Sequence, residues 1–182
     1  WLEYSKVRLN AGKLLSINAL AVTDKDSNNV ASRAADVIGV YAIGSELDFS
    51  SSSELEIDAH KEYATEESNI YALVAVNGSK VSMKAEDEIN ITGDIALWND
   101  SSLLLAVGEE SGSSIDIKGD ITVTNGSLLK LQGNANVSKS DSSRSVPVTP
   151  VNGSNVNIND SVLVIDGVTR VDGNVILNNS KL

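Results

Sequence analysis

The chain has 182 residues, of which 41% are hydrophobic but only 4% aromatic. It is long enough to bury the core of one domain, and aliphatic side chains must fill that core. A formal charge of −11 argues against binding the phosphate backbone of nucleic acid, which needs Lys and Arg to neutralise it, and against adsorption to anionic lipid. The charge suits a soluble, extended surface. There is no cysteine, so neither a disulfide framework nor a thiolate metal site is available. No apolar run approaches the roughly 18 residues of a membrane span.

In chain order, short stretches alternate between apolar and polar residues. Lys6-Val7-Arg8-Leu9 and Leu14-Leu15-Ser16-Ile17 read as strands, and the polar residues 24–36 read as a loop. The strand pattern resumes from Val37 to Ile43 and continues through Gly44-Ser45-Glu46-Leu47-Asp48-Phe49. Residues 58–69, DAHKEYATEESN, form the most charged insertion, with room for one or two helical turns. Strands are expected again at Ile70 to Val76, at Val81-Ser82-Met83, at Ile115-Asp116-Ile117, at Leu129-Lys130-Leu131 and at Val156-Asn157-Ile158, each alternating with period 2. Residues 138–154 hold both prolines, Pro147 and Pro150, and read as a third excursion. All three insertions are expected to project from one stacked core spanning 1–182, with no domain boundary.

The strands recur as units. Residues 112–123, GSSIDIKGDITV, align without gaps to 126–137, GSLLKLQGNANV, at an offset of 14. Residues 153–164 begin the same way at close to twice that offset again. Gly44-Ser45, Gly78-Ser79 and Gly112-Ser113 follow one another at steps of 34. ITGDIAL at 91–97, IKGDITV at 117–123 and VDGNVIL at 171–177 start at successive offsets of 26 and 54, suggesting a preferred step near 27. Units this short and this alike suit coils in which equivalent positions stack, with apolar residues inside. Gly and Asn would sit at corners, where they adopt left-handed backbone, and Asn side chains would form ladders. The expected fold is therefore all-β, a right-handed single-stranded parallel β-helix with projecting loops. An antiparallel β-sandwich is the alternative, because Asn-Gly at 77–78, 125–126 and 152–153 also suits type I′ hairpin turns.

The iterated segments GVYAIGSELDF (39–49), NIYALVAVNGSKVSM (69–83), NITGDIALWNDSSLLLAV (90–107) and GSSIDIKGDITVTNGSLLKLQGN (112–134) resemble the passenger domains of bacterial autotransporters, the type V secreted proteins. The resemblance covers about residues 37–182. It implies a pectin-lyase-like solenoid displayed outside the outer membrane and tethered there through a C-terminal β-barrel of the full-length protein. The lack of cysteine and scarcity of aromatics match that family, and the start at Trp1, without Met or signal peptide, suits a mature or excised piece. Some passengers carry a serine protease, but no Gly-Asp-Ser-Gly motif is present here, so that activity is not carried over. Adhesion or aggregation remains, with a host or bacterial surface protein, a glycan or another copy as partner. A passive stalk or a polysaccharide-degrading enzyme is the alternative.

Residues that could carry chemistry are few. His60 is the only histidine and lies in the charged insertion, where a solvated side chain is expected rather than a triad base. Glu86-Asp87-Glu88 and Glu109-Glu110 offer oxygen ligands for Ca²⁺ but lack a calcium-loop pattern. Arg8, Arg33, Arg144 and Arg170 lie in no evident acidic cluster, as a polysaccharide-cleaving site would require. Asn-x-Ser/Thr occurs at Asn77, Asn90, Asn99, Asn125, Asn136, Asn152, Asn159 and Asn178, and is read as turn chemistry. Trp98 and the tyrosines at 4, 41, 63 and 71 are too dispersed in sequence to suggest a carbohydrate platform. No catalytic residue, metal ligand or cofactor site is therefore expected, and recognition is assigned to the interruptions at 58–69 and 138–154.

Overall fold

The computed structural model describes residues 1–21, 36–61, 69–139 and 154–182, and all regular elements among them are β-strands. Alternation sets their local form: in Lys80–Ala85 the side chains run exposed, buried, half-buried, buried, exposed, buried. Such a segment can bury one face only as a strand.

The strands follow one another in threes. The first coil comprises β1 (Leu2–Glu3), β2 (Lys6–Ala11) and β3 (Leu14–Ala21). The second comprises β4 (Val37–Ile43), β5 (Glu46–Ser51) and β6 (Glu54–Lys61), and the third β7 (Ile70–Val76), β8 (Lys80–Ala85) and β9 (Glu88–Thr92). The fourth holds β10 (Asp94–Trp98), β11 (Ser102–Val107) and β12 (Ser114–Lys118), and the fifth β13 (Ile121–Thr124), β14 (Leu128–Gln132) and β15 (Ala135–Ser138). The sixth holds β16 (Ser154–Asn159), β17 (Val162–Asp166) and β18 (Thr169–Val171), and β19 (Gly173–Asn178) opens a seventh. Each strand pairs in parallel with the strand three places on. Sheet A thus runs β1-β4-β7-β10-β13-β16-β19, sheet B β2 to β17 and sheet C β3 to β18. The fold is a parallel β-helix. Among the described residues no two successive strands pair as a hairpin, which excludes the sandwich.

Register shows which sequence offsets mean stacking. Ile91 lies against Ile117 and Ile95 against Ile121, so the step of 26 is one coil. Two further coils carry Ile121 through Val156 to Val175, giving the offset of 54. The offset of 14 is different. It relates β12 in sheet C to β14 in sheet B, which do not stack. Gly112-Ser113 likewise opens a corner before sheet C, whereas Gly78-Ser79 precedes sheet B. No single step governs the solenoid: Leu2 pairs with Ala42 across a long coil, whereas Val156 pairs with Val175 across one about half that length. The charged insertion is also shorter than expected. Residues 58–61 continue β6 and pair with β3, because Ala59 alternates inward after Leu55 and Ile57. Residues 22–35, 62–68 and 140–153 lie outside the described residues, and with them most of the three expected loops.

Inward positions form continuous aliphatic rows. One is Val40-Leu73-Ile95-Ile121-Val156 in sheet A, and another is Leu47-Val81-Leu103-Leu129-Leu163 in sheet B. Ile17, Ile57, Ile91, Ile117 and Val137 form a third in sheet C. These residues belong to one cluster, and Leu55, Ile57, Leu105 and Ile117 have no exposed surface. At the last coil the rows end. Val175 and Leu177 keep inward register yet are 48% and 38% exposed.

The corner from sheet A to sheet B repeats five times as Asn77-Gly78-Ser79, Asn99-Asp100-Ser101, Asn125-Gly126-Ser127, Asn159-Asp160-Ser161 and Asn178-Asn179-Ser180. Left-handed backbone turns it, with φ of 56° at Asn77, 62° at Asp100, 55° at Asn125 and 46° at Asn179, a conformation Asn, Asp and Gly tolerate. Asn77-Gly78 and Asn125-Gly126 are therefore solenoid corners, not hairpin turns. The Ser hydroxyls point inward, and the Oγ of Ser127 accepts a hydrogen bond from the Ser101 N–H at 3.2 Å while that of Ser161 accepts one from Ser127 at 3.2 Å. Outside, Asn99 donates to Asn77 at 3.3 Å and Asn125 to Asn99 at 3.1 Å. Five of the Asn-x-Ser sequences thus are corner chemistry. Asn90 and Asn136 instead lie within β9 and β15, and Asn152 is outside the described residues.

Two substitutions test this scaffold. Gly119 packs on the backbone of Gly93 one coil below, and a Cβ at 119 would overlap the Gly93 carbonyl. Gly119→Ala is expected to lower unfolding free energy by about 1–3 kcal/mol, the usual cost of overpacking, measured by urea denaturation. Ser127→Ala leaves the N–H of the buried Ser101 without its acceptor. Its expected cost is also about 1–3 kcal/mol, whereas Ser114→Ala, on the outer surface, should change stability by less than about 0.5 kcal/mol.

Candidate functional site

Because inward positions build the coil, distinctive chemistry is confined to the outward positions, and the three sheets differ sharply there. Among the described residues, sheet B exposes eight charged side chains, Lys6, Arg8, Glu46, Asp48, Lys80, Lys84, Lys130 and Asp166. Sheet C exposes seven, Glu54, Glu56, Asp58, Glu88, Asp116, Lys118 and Arg170. Sheet A, with the most strands, exposes two: Glu3 and Asp94.

Sheet A carries the aromatic residues instead. Tyr41, Val74, Ala96, Thr122 and Asn157 form one outward row, and Ile43, Val76 and Trp98 form the next. Tyr71 stands opposite Asp94 at the other end of the strands, where an irregularity after Asp94 shifts the register past Ala72. Gly93 makes that close approach possible, since a Cβ there would lie 2.8 Å from the Ala72 nitrogen. The rings of Tyr71 and Trp98 meet edge to face, with centroids 6.5 Å apart, an arrangement favoured by the ring quadrupoles. Val74 and Ala96 are each only 1% exposed although they face outward, because Tyr41, Tyr71, Trp98, Ile38 and Ile43 pack over them as a second apolar cluster. Trp1 extends the patch, stacking on Tyr41 at 4.2 Å with rings 7° from parallel. The expectation that these aromatics are too dispersed is therefore corrected. Coil-to-coil stacking brings together residues a full coil apart in sequence, such as Val76 and Trp98, and linear inspection does not bridge that distance. Tyr4 lies apart, against Gly44 at the corner, and Tyr63 is outside the described residues.

Asp94 is the one acid inside this face. Its Oδ1 accepts the Asp120 N–H at 2.8 Å, and Asp120 in turn accepts the Asn155 N–H at 2.7 Å. Burial raises the Asp94 carboxyl above its ordinary value, and the Asp120 charge adds to that; the Asp120 backbone bond and Lys139 act in the opposite direction. Burial, with Asp94 and Asp36 nearby, likewise raises the Tyr71 phenol, so Tyr71 remains a neutral donor.

Sheet B bears a groove of about 350 Å³ over Leu104 and Leu128, flanked by Glu46, Asp48, Lys80, Lys84 and Lys130. Lys6 holds Glu46 at 3.0 Å and Arg8 holds Asp48 at 3.1 Å, with all four side chains substantially exposed. Arg8 thus meets one acid, Asp48, because β2 stacks on β5, and no acidic cluster forms around it among the described residues. Arg170 stands at the start of a separate surface hollow with Asn134 and Asn136, and Arg33 and Arg144 are outside the described residues.

His60 is not in a loop but on β6, with the Asp58 carboxylate 3.2 Å from Nδ1 at an angle that makes no hydrogen bond. Glu86 and Asp87 turn the corner before β9, where Asp87 accepts a hydrogen bond from Ser53 at 2.7 Å, and Glu109 and Glu110 turn the next such corner. Among the described residues no three His, Cys, Asp or Glu side chains converge as metal ligands.

The raised Asp94 carboxyl gives a signed prediction. A group whose folded value is raised stabilises the fold fully at pH below its unfolded value and loses that contribution as pH rises through the folded one. Asp94→Asn retains the Oδ1 acceptor while removing the half-buried charge. Its melting temperature should exceed that of the parent at pH 7, with the difference closing below about pH 4, the ordinary carboxylate value; calorimetry over that range measures it.

No family model matches the chain, and neither a curated protein nor a solved structure matches it.

Proposed function

We propose that this chain is an adhesive scaffold segment of the autotransporter-passenger kind, displayed extracellularly at a bacterial surface and binding through the outward faces of its solenoid. The observation that carries the reading is the contrast between inside and outside. Inward rows are apolar and almost wholly aliphatic, with Phe49 the one buried ring among the described residues, while one outer face is aromatic and nearly uncharged and the other two are heavily charged. A spacer that touches nothing has no need of such contrast, and an open solenoid face suits extended contact with a surface better than it suits a closed reaction chamber.

The groove on sheet B favours a second reading, an enzyme acting on polysaccharide, since acidic and basic side chains converge there. Both acids are already paired with cations across the coil. That pairing suits a binding surface more than a general acid and base.

The expected result is saturable binding of the purified, folded chain to cells, matrix proteins or immobilised glycans, or its self-association, with no release of new sugar ends from polysaccharides. Absence of every form of binding and association would remove the adhesive reading, and sustained sugar-end release abolished by Lys84→Ala or Lys130→Ala would replace it with the enzyme. A full reading frame ending in an outer-membrane β-barrel would support the proposed display.

A further inference from the structure

We infer that the outward face of sheet A binds an extended neutral polysaccharide, lying along the solenoid axis over Tyr71 and Trp98 and the polar rows beyond them. This rests on the proposed role as a binding scaffold and names the ligand class and the face.

Three features of the face converge on that ligand. The first is charge. In a chain with a net charge of −11, sheet A exposes only Glu3 and Asp94 among the described residues, against eight charged side chains on sheet B and seven on sheet C. An anionic chain would find its cations on sheet B, and a basic partner its acids on sheet C. Sheet A complements a molecule that is itself uncharged, and Asp94, with its raised carboxyl, is already engaged by the Asp120 N–H.

The second is the combination of apolar and polar groups. A pyranose ring has an apolar C–H face and a rim of hydroxyls, so its receptor needs aromatic faces beside donors and acceptors. Tyr71 and Trp98 lie over Val74 and Ala96 without being fully buried themselves. The same face continues into Thr122 and Thr124 on β13 and Asn155, Asn157 and Asn159 on β16. Every one of these is half-buried, and each carries a hydroxyl or an amide that both donates and accepts.

The third is shape. The face is a row of seven parallel strands about 4.8 Å apart, giving roughly 29 Å of continuous, open surface. A pocket that grips a single terminal sugar is a different design, and the hollows around Gln132, Leu104 and Arg170 are lined by other residues. Repeated coils offer repeated contacts along a repeating chain, and the affinity of such an array accumulates over sites.

The test is titration of the folded chain, followed by tryptophan fluorescence and calorimetry, with soluble cellohexaose, maltohexaose, xylohexaose and mannohexaose, and with heparin as the anionic probe. At least one neutral oligosaccharide should bind and shift the tryptophan emission. Trp98→Ala and Tyr71→Ala should each weaken it by about tenfold or more, the scale of one contact-centre aromatic. Since these variants remove a roof over Val74 and Val76, Thr122→Glu serves as a second variant. It places charge on the face without opening the apolar cluster and should weaken binding similarly, while circular dichroism stays unchanged. Lys80→Ala and Lys84→Ala on sheet B should leave neutral binding intact. Failure of all four neutral probes to bind overturns the inference, as does neutral binding indifferent to Trp98→Ala, Tyr71→Ala and Thr122→Glu, or lost with the sheet B lysines. Retained adherence to cells with no neutral-glycan binding would sink this inference and leave the adhesive reading standing. Neutral-glycan binding in a chain that adheres to no cell or matrix would uphold this inference and remove only the cell- and matrix-binding part of the proposed role.

Discussion

The constraint on which the rest of the structure depends is the corner from sheet A to sheet B. Each turn of the solenoid must change direction within a few residues while keeping inward rows aligned, and must do so without leaving buried backbone groups unpaired. The Asn–left-handed residue–Ser corner meets both demands. The left-handed residue turns the chain, and the buried Ser hydroxyl accepts the backbone N–H of the Ser one coil away. The same hydroxyl can donate locally, as Ser79 does to the Val76 carbonyl at 2.7 Å and Ser101 to that of Trp98 at 2.8 Å. One small side chain thereby links successive coils and closes its own turn, and a methyl in its place would do neither.

Which coil stacks on which was only partly legible in the sequence. Period-2 alternation marked the strands, and ITGDIAL with IKGDITV marked a true coil step because both span the same corner, from sheet C into sheet A. The offset of 14 misled for a physical reason. Gly-Ser before an alternating strand is a local solution to turning a corner, and it recurs at corners that face different directions: Gly112-Ser113 leads into β12 in sheet C, and Gly126-Ser127 into β14 in sheet B. Likeness of sequence reported likeness of turn, not adjacency in space. Asp100 and Asp160 stand where Gly78 and Gly126 do, which further obscured the true series.

Surface chemistry was less legible still. Trp98 and Tyr71 lie on different coils, far apart in the chain, yet their ring centroids are 6.5 Å apart. Neither lies in a pattern that distinguishes it from a residue covering a turn. Arg8 and Asp48 are likewise distant in sequence and meet because β2 and β5 share a register. Sequence reasoning placed recognition in the interruptions of the repeat. The opening of the interruption at 58–69, Asp58 to Lys61, proves to be strand, and distinctive chemistry also lies on the uninterrupted faces, at positions the coil leaves free.

A neutral face in such a fold invites the explanation that stacking itself forbids charge, since in-register parallel strands set equivalent side chains side by side and like charges so placed repel. The other two sheets argue against it. Sheet B alternates sign along Lys6, Glu46 and Lys80. Sheet C interleaves amides with charges along Glu56, Asn90, Asp116, Asn136 and Arg170, with Asn136 donating to Asp116 at 2.9 Å. Where Glu54 and Glu88 do meet, Asn90 donates to Glu54 at 3.2 Å and offsets the repulsion. The solenoid therefore carries charge readily by alternation or by interposed amides, and both devices were open to sheet A. Its strands instead bear tyrosine and tryptophan on coils two to four and threonine and asparagine on coils five and six. Stacking permits that composition but does not require it, so the neutrality of sheet A calls for a cause outside the scaffold, and the proposed contact with an uncharged ligand would supply one.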